Sequence, residues 1–349
     1  MSLSLIVLFL GSFVTPASQA CTTVAIPSAE NIVGKSYDWS HGHGLLMVNK
    51  RQVQKESIVF KEKNLPVQWV SQYGSLTFNQ HGLEFPLEGM NEKGVIVQVL
   101  WLSGSIYPEP SDAVGSLNEL QWIQYILDTS DSVSTAIQKA NDVKVENTYA
   151  DVHYFVCDAV GACATFEYLN GNLVIHTGKD LPIRTLANNT YQDSLSYLKL
   201  FKGFGGDLEL PKAGDIFTDR FVTATVGAMS YAPEMEVVDY TFSLLNTVDR
   251  FGWTKWQSVY LPKSNTVLYR TPSNDQIRKA SLNSFDLRCK TPVKVFDIHE
   301  RGEDISFQFQ TYTDAINQGN IDQNTYLGQN LRALMGRYPA EYTRCVTAF

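Results

Sequence analysis

The chain has 349 residues, 44% of them hydrophobic and 18% charged, enough apolar material for a sizeable core and too much for wholesale disorder. A net charge of -8 with no block of like charges argues against nucleic acid as a partner. Past residue 20 no second long apolar run follows, so no further membrane span is expected.

The first segment, MSLSLIVLFLGSFVTPASQA, carries an apolar run over 3–10, a helix-breaking Pro16, and small residues at Ser18 and Ala20. An apolar core too short to span a bilayer, closed by small residues one and three positions before Cys21, reads as a secretory signal peptide over 1–20. Cleavage between Ala20 and Cys21 makes the product periplasmic or secreted and leaves Cys21 as its first residue. Three uses of that cysteine stay open at this point. A lipid anchor matches poorly, because that processing prefers an aliphatic residue where this chain has Ser18. A nucleophile fits the chemistry: a thiol of pKa about 8.5 stands beside an α-amino group near 8 that serves as its base. The third use is an ordinary first residue, or half of a disulfide.

Strands are expected at 22–26 and 32–38, joined by a turn at PSAEN. The two-residue period puts Lys35 and Tyr37 on one face of the second and Ser36 and Asp38 on the other. After Trp39 and the polar patch HGHG, strand-like pieces follow at 45–48, 57–60, 66–70 and 75–78. The turn GMNEKG leads into a nearly unbroken apolar run, 95–102, that reads as a buried central strand. Helices are expected from about 120 and from the cap-like Ser130-Asp131. Strands return at 152–156, 164–168 and 173–176, and helices at 191–200, 217–229 and 234–247. Strands at 256–261, 266–270, 284–287 and 293–296 and a polar helical tail complete the chain. Segregated runs of strands and helices favour an α+β layering, and no Pro/Gly/Ser-rich linker divides 21–349, so a single domain is expected.

The five cysteines are Cys21, Cys157, Cys163, Cys289 and Cys345. Setting Cys21 aside leaves an even number in a compartment that permits disulfides; a Cys157–Cys163 hairpin bridge, a long-range Cys289–Cys345 bridge and four free thiols all stay open. Glycine-rich phosphate loops and zinc-ligand spacings are absent, so no cofactor or metal is expected. His41-Gly42-His43 reads as a loop. None of the six histidines has the neighbourhood of a papain-like partner for Cys21.

Four features stand in order behind the signal: Cys21-Thr22 with Lys35-Ser36-Tyr37-Asp38, the turn from Gly89 to Gly94 before an apolar strand, Leu186-Ala187-Asn188, and Arg220-Phe221 at a helix start. Together they resemble the cholylglycine hydrolase family, the bile salt hydrolase and penicillin V acylase branch of the N-terminal nucleophile hydrolases. The resemblance implies a four-layer αββα sandwich, a homotetramer, and cleavage of a linear amide in a small molecule. It assigns Cys21 as nucleophile, Asp38 as the acid that orients the α-amine, and Arg220 as the source of positive potential. Asn188 and the backbone N–H of Trp101 become the oxyanion donors, although Asn188 also heads an Asn-Asn-Thr glycosylation sequon. Lys35 stands where the family commonly has arginine, and a point charge is not equivalent to a planar fork. Trp39 and Trp101 would line an apolar acyl pocket. The exported form resembles the Gram-negative members, which are similar to penicillin V acylases and often accept acyl-homoserine lactones. A conjugated bile salt hydrolase is the alternative within the family, and a lipid-anchored or inactive binding protein the alternative outside it.

Overall fold

The computed structural model describes residues 21–211, 220–250 and 252–346; the expected signal segment 1–20 lies outside the described residues. Two large sheets, antiparallel throughout, dominate it. The six-stranded sheet runs β15 (Thr185–Leu186), β1 (Thr22–Ile26), β2 (Ile32–Asp38), β16 (Thr254–Leu261), β17 (Thr266–Thr271), β18 (Asn274–Ser281). The nine-stranded sheet runs β14 (Asn172–Thr177), β13 (Cys163–Leu169), β12 (Val152–Cys157), β9 (Ile96–Trp101), β8 (Glu88–Asn91), β7 (Ser75–Asn79), β3 (Leu45–Asn49), β19 (Lys294–Asp297), β20 (Gln310–Thr311).

The alternation of side chains sets the layers. From the first sheet, Val24, Ile26, Ile32 and Val259 pack with Phe242 and Leu245 under helices α4 (Arg220–Met229) and α5 (Val237–Thr247). Gly34 lets α5 come close, since a Cβ there would stand 2.7 Å from the Thr241 methyl. The other face meets the second sheet: Tyr37 and Trp256 stack with ring centroids 3.8 Å apart, and Trp256 stacks in turn on Phe78 of β7 at 5.6 Å. On the far side of the second sheet lie α1 (Glu119–Thr129) and α2 (Val133–Asn141), with Trp122 stacked 4.1 Å from Tyr154 of β12. Asn118 caps α1 by accepting the N–H groups of Leu120 and Gln121, and Ser132 with Thr135 forms a capping box for α2, two positions beyond the expected start. The order helices–sheet–sheet–helices is the expected αββα sandwich.

Two small sheets sit outside this frame, β11 (Lys144–Glu146), β10 (Gly115–Asn118) and β5 (Leu65–Pro66) in one, β21 (Thr343–Cys345), β4 (Val53–Glu56) and β6 (Gln68–Val70) in the other. Helix α3 (Tyr191–Leu198) follows β15, and α6 (Asp314–Asp322) and α7 (Gln329–Tyr342) close the chain. Among the described residues no helix is long and apolar enough to cross a membrane.

Three expectations need correction. Residues 57–60 form no strand, because side chains take their backbone N–H groups: Ile58 N–H donates to Gln121 and Phe60 N–H to the Glu146 carboxylate. Residues 284–287 are likewise not a strand, and the polar NDQIRKAS was missed as one. It is the outermost strand, where a solvated edge tolerates polar residues, and its buried Arg278 donates to the Ile298 carbonyl at 2.6 Å. Both disulfides form: Cys157 and Cys163 are directly opposite on β12 and β13, and Cys289 joins Cys345, leaving Cys21 unpaired among the described cysteines.

Candidate active site

Cys21 leads straight into β1, and the register Thr22↔Ser36 sets it against the end of β2. Its Sγ donates to the Asp38 carbonyl at 3.8 Å. The Asp38 side chain is fully buried and held at both oxygens: Thr254 and Ser36 donate to Oδ1 at 2.6 and 3.2 Å, and Arg220 to Oδ2 at 2.5 Å. Arg220 begins α4, the helix that lies over β1, and its second amino group reaches Asn188 Oδ1 at 3.0 Å. Asn188 then donates through Nδ2 to the carbonyl of Trp101, 2.6 Å away at the end of β9. A guanidinium only donates and a carbonyl only accepts, so the orientation of the Asn188 amide is fixed from both sides. Four expected residues from four separate stretches thus form one hydrogen-bonded line across the two sheets.

The line leaves two donors for a developing oxyanion. One is the second N–H of Asn188. The other is the Trp101 N–H. Val99 N–H donates to Leu87 and Leu102 N–H to Asp151, so by alternation the Trp101 N–H points past the end of β8, and among the described residues no backbone acceptor takes it.

Burial pushes the Cys21 thiol up to about 11, against the pull of Lys35. The thiol is therefore neutral at physiological pH, and attack requires a base beside it to take the proton. Burial also raises the Asp38 carboxyl to about 6, with Arg220 pulling it back down. Lys35 is fully buried, its ammonium 3.7 Å from Glu88 and above the Tyr37 ring. It acts on the thiol by charge alone, diluted by Glu88, which also accepts from Trp256 and Ser258.

Several supporting residues were not singled out from sequence. Ser36 could have been, since it shares the face of Asp38. Thr254 could not, standing 216 positions from Asp38. Glu88 carried one signal, a carboxylate just before GMNEKG. His153 had none. Its Nε2 donates to the carbonyl of Ala187 at 2.8 Å while Nδ1 faces Glu167 at 3.1 Å, and Glu167 accepts the Tyr191 N–H at 2.9 Å. This buried pair grips the backbone on both sides of Asn188.

Cys21, Tyr37 and Asp38 open into an apolar cavity of about 70 Å³. Trp39 and Trp101 line it as expected, with centroids 6.0 Å apart and planes inclined at 43°, a wedge rather than a flat slot. Its other walls include Val99, Leu120, Leu331 and Met335. His41 and His43 sit in the loop after β2, where their carbonyls accept the Gln80 amide at 2.9 and 2.7 Å. Among the described residues no group of three His, Cys, Asp or Glu is placed to hold a metal ion.

Comparison with known proteins matches residues 21–295 to the family described as linear amide C-N hydrolases, choloylglycine hydrolase family, a match that opens at Cys21. A penicillin V acylase of Pectobacterium atrosepticum is 30% identical over 243 residues, 64% of this chain. The match spans 63% of that relative, just under two thirds of its length. The solved penicillin V acylase of Agrobacterium tumefaciens superposes with a TM-score of 0.70 at 25% identity, covering 84% of this chain and 98% of that one. A mutant conjugated bile acid hydrolase of Clostridium perfringens shares the fold, with a TM-score of 0.63 at 17% identity over 84% and 96% of the two chains.

Proposed function

The chain belongs to the linear amide C-N hydrolases of the choloylglycine hydrolase family, and from that premise we propose that it is an exported amidohydrolase with Cys21 as its nucleophile. Removal of 1–20 frees the α-amine of Cys21 beside its own thiol. The two disulfides fit the oxidising compartment this route leads to. The observation that carries the reading is the line Asp38–Arg220–Asn188–Trp101 meeting at Cys21.

The α-amine accepts the thiol proton as Sγ attacks the amide carbonyl, and the carbonyl oxygen becomes an oxyanion held by Asn188 and the Trp101 N–H. Ionised Asp38 holds the amine in place. Collapse breaks the C–N bond, the ammonium protonates the leaving amine, and a thioester remains on Cys21. The amine then deprotonates a water that attacks the thioester; the acid leaves and the thiol regains its proton. One amide and one water give one acid and one amine, with no cofactor.

The higher identity to the penicillin V acylases and the narrow apolar cavity support an acyl group of that kind, phenoxyacetyl or alkyl, with acyl-homoserine lactones among the amides cleaved. Conjugated bile salts are the second choice within the family. A homotetramer is the proposed assembly, checked by light scattering. The test is hydrolysis of phenoxyacetyl, acyl-lactone and bile-salt amides by the processed protein and by Cys21→Ala. The substitution is expected to lower kcat by about 10⁴-fold or more on whichever amide is cleaved. Unchanged turnover, or binding of amides without turnover by the parent, contradicts the reading and favours a binding protein.

A further inference from the structure

The family match ends at residue 295, yet the cavity beside Cys21 is not complete there. Leu327, Leu331 and Met335 also line it, spaced four apart and so on one face of α7 and the turn before it. Neither large sheet supplies this side.

The segment is fixed in place by specific bonds. Asn320 and Asn324 donate to the Gln80 carbonyl at 3.1 and 2.8 Å, while the Gln80 side chain accepts from Tyr37 on the catalytic strand at 2.9 Å. Tyr326 packs 6.2 Å from Trp39 and 5.4 Å from Tyr149, and its hydroxyl meets His81 Nε2 at 2.8 Å. Tyr338 donates to the Glu56 carbonyl at 2.7 Å and packs on Phe85. Beyond α7, β21 pairs with β4 and Cys345 is bonded to Cys289. Tryptophans stand at the catalytic end, whereas α1 and α7 contribute aliphatic side chains.

The cavity also has little to offer a charged acyl tail. Glu119 lines it, but its carboxylate accepts the N–H groups of Thr148, Tyr149 and Ala150, which turns its charge into the backbone. Burial drives His81 down to about 3, so it is neutral.

Resting on the amidohydrolase reading and deepening it, we propose that the C-terminal segment 314–342 is the wall that selects the acyl group, and that Leu331 and Met335 set its length for an uncharged straight-chain acyl. The core within the family match supplies the reaction; this wall supplies the choice.

The test uses the processed protein and p-nitroanilides of straight-chain acids from butanoyl to dodecanoyl, with the phenoxyacetyl anilide alongside. Leu331→Trp is expected to lower the decanoyl-to-butanoyl ratio of kcat/KM by about tenfold or more. Met335→Ala is expected to shift the optimum toward the longer acids, so a failure of the larger side chain to fold leaves the opposite change to read. The same panel is titrated as acyl amides against Cys21→Ala by calorimetry. If the parent turns over nothing but Leu331→Trp reorders chain-length binding in Cys21→Ala, the hydrolase reading falls and this assignment stands. Profiles that neither substitution moves in folded protein overturn it, as does a preference for phenoxyacetyl that both leave intact.

Discussion

The catalytic end of the two sheets and the C-terminal helices α6 and α7 meet at one cavity but are held by different forces. At the first, Asp38, Arg220 and Asn188 are joined by charge-assisted hydrogen bonds in fixed directions, where a shift of an ångström is costly. At the second, aliphatic and aromatic contacts, asparagine-to-carbonyl bonds and a disulfide hold one wall of the cavity. On the proposals made above, reaction and selection are carried by different parts of the chain. Substitutions in the first region should cost turnover on every substrate; changes in the second should alter which substrate is turned over.

The largest effect short of removing the thiol is expected from Arg220→Lys. A lysine offers one point charge in place of the planar fork that holds Asp38 and Asn188, so kcat should fall about 10²–10³-fold on short and long acyl amides alike. A fall confined to long chains in steady-state kinetics would blur the division. Acid comes next. With ionised Asp38 required and its carboxyl raised to about 6, activity should be full above that pH and drop about tenfold per unit below it. Stability runs the other way. The folded value exceeds the ordinary 3.8, so the contribution of Asp38 to the fold is complete below 3.8 and lost as pH rises through about 6. A pH–rate profile set beside melting temperatures over the same range checks both signs.

His153→Leu should reduce kcat about tenfold with KM little changed, because Ala187 loses its donor and Asn188 its footing. His153→Gln, which keeps a donor, should recover most of the loss. A purely structural role for His153 would lower the melting point in both variants without separating their kcat values. The smallest effect on turnover belongs to the second region. Replacing Cys289 and Cys345 by serine should cost about 2–4 kcal/mol of stability, read by denaturant unfolding, yet move kcat on a short acyl amide by less than about threefold.

Much of the first region was legible in the sequence because its information is local. The bounds of β1 and β2 follow from alternation about the PSAEN turn, and the shared face of Ser36 and Asp38 from the two-residue period. The roles of Asn188 and Arg220 came through resemblance; their hydrogen bond, 32 positions apart, has no local trace. Lys35–Glu88 and His153–Glu167 stayed hidden for the same reason, since nothing in a strand's own pattern names the charge it will face across a sheet. β18 was missed because an edge strand needs no apolar face. The disulfides were open because an even cysteine count does not specify partners. The second region was barely legible: α7 reads as a polar tail until the cavity gives a purpose to the spacing of Leu327, Leu331 and Met335.

Everything proposed for the site turns on Cys21 attacking with its own freed amine as base. Its most direct test is intact-mass analysis of the exported protein, before and after brief incubation with a cleavable amide, with the modified residue located by fragmentation. The expected result is a chain beginning at unmodified Cys21 that then carries one acyl group on Sγ. A chain starting elsewhere, a lipid already on Cys21, or an acyl group at any other residue contradicts it.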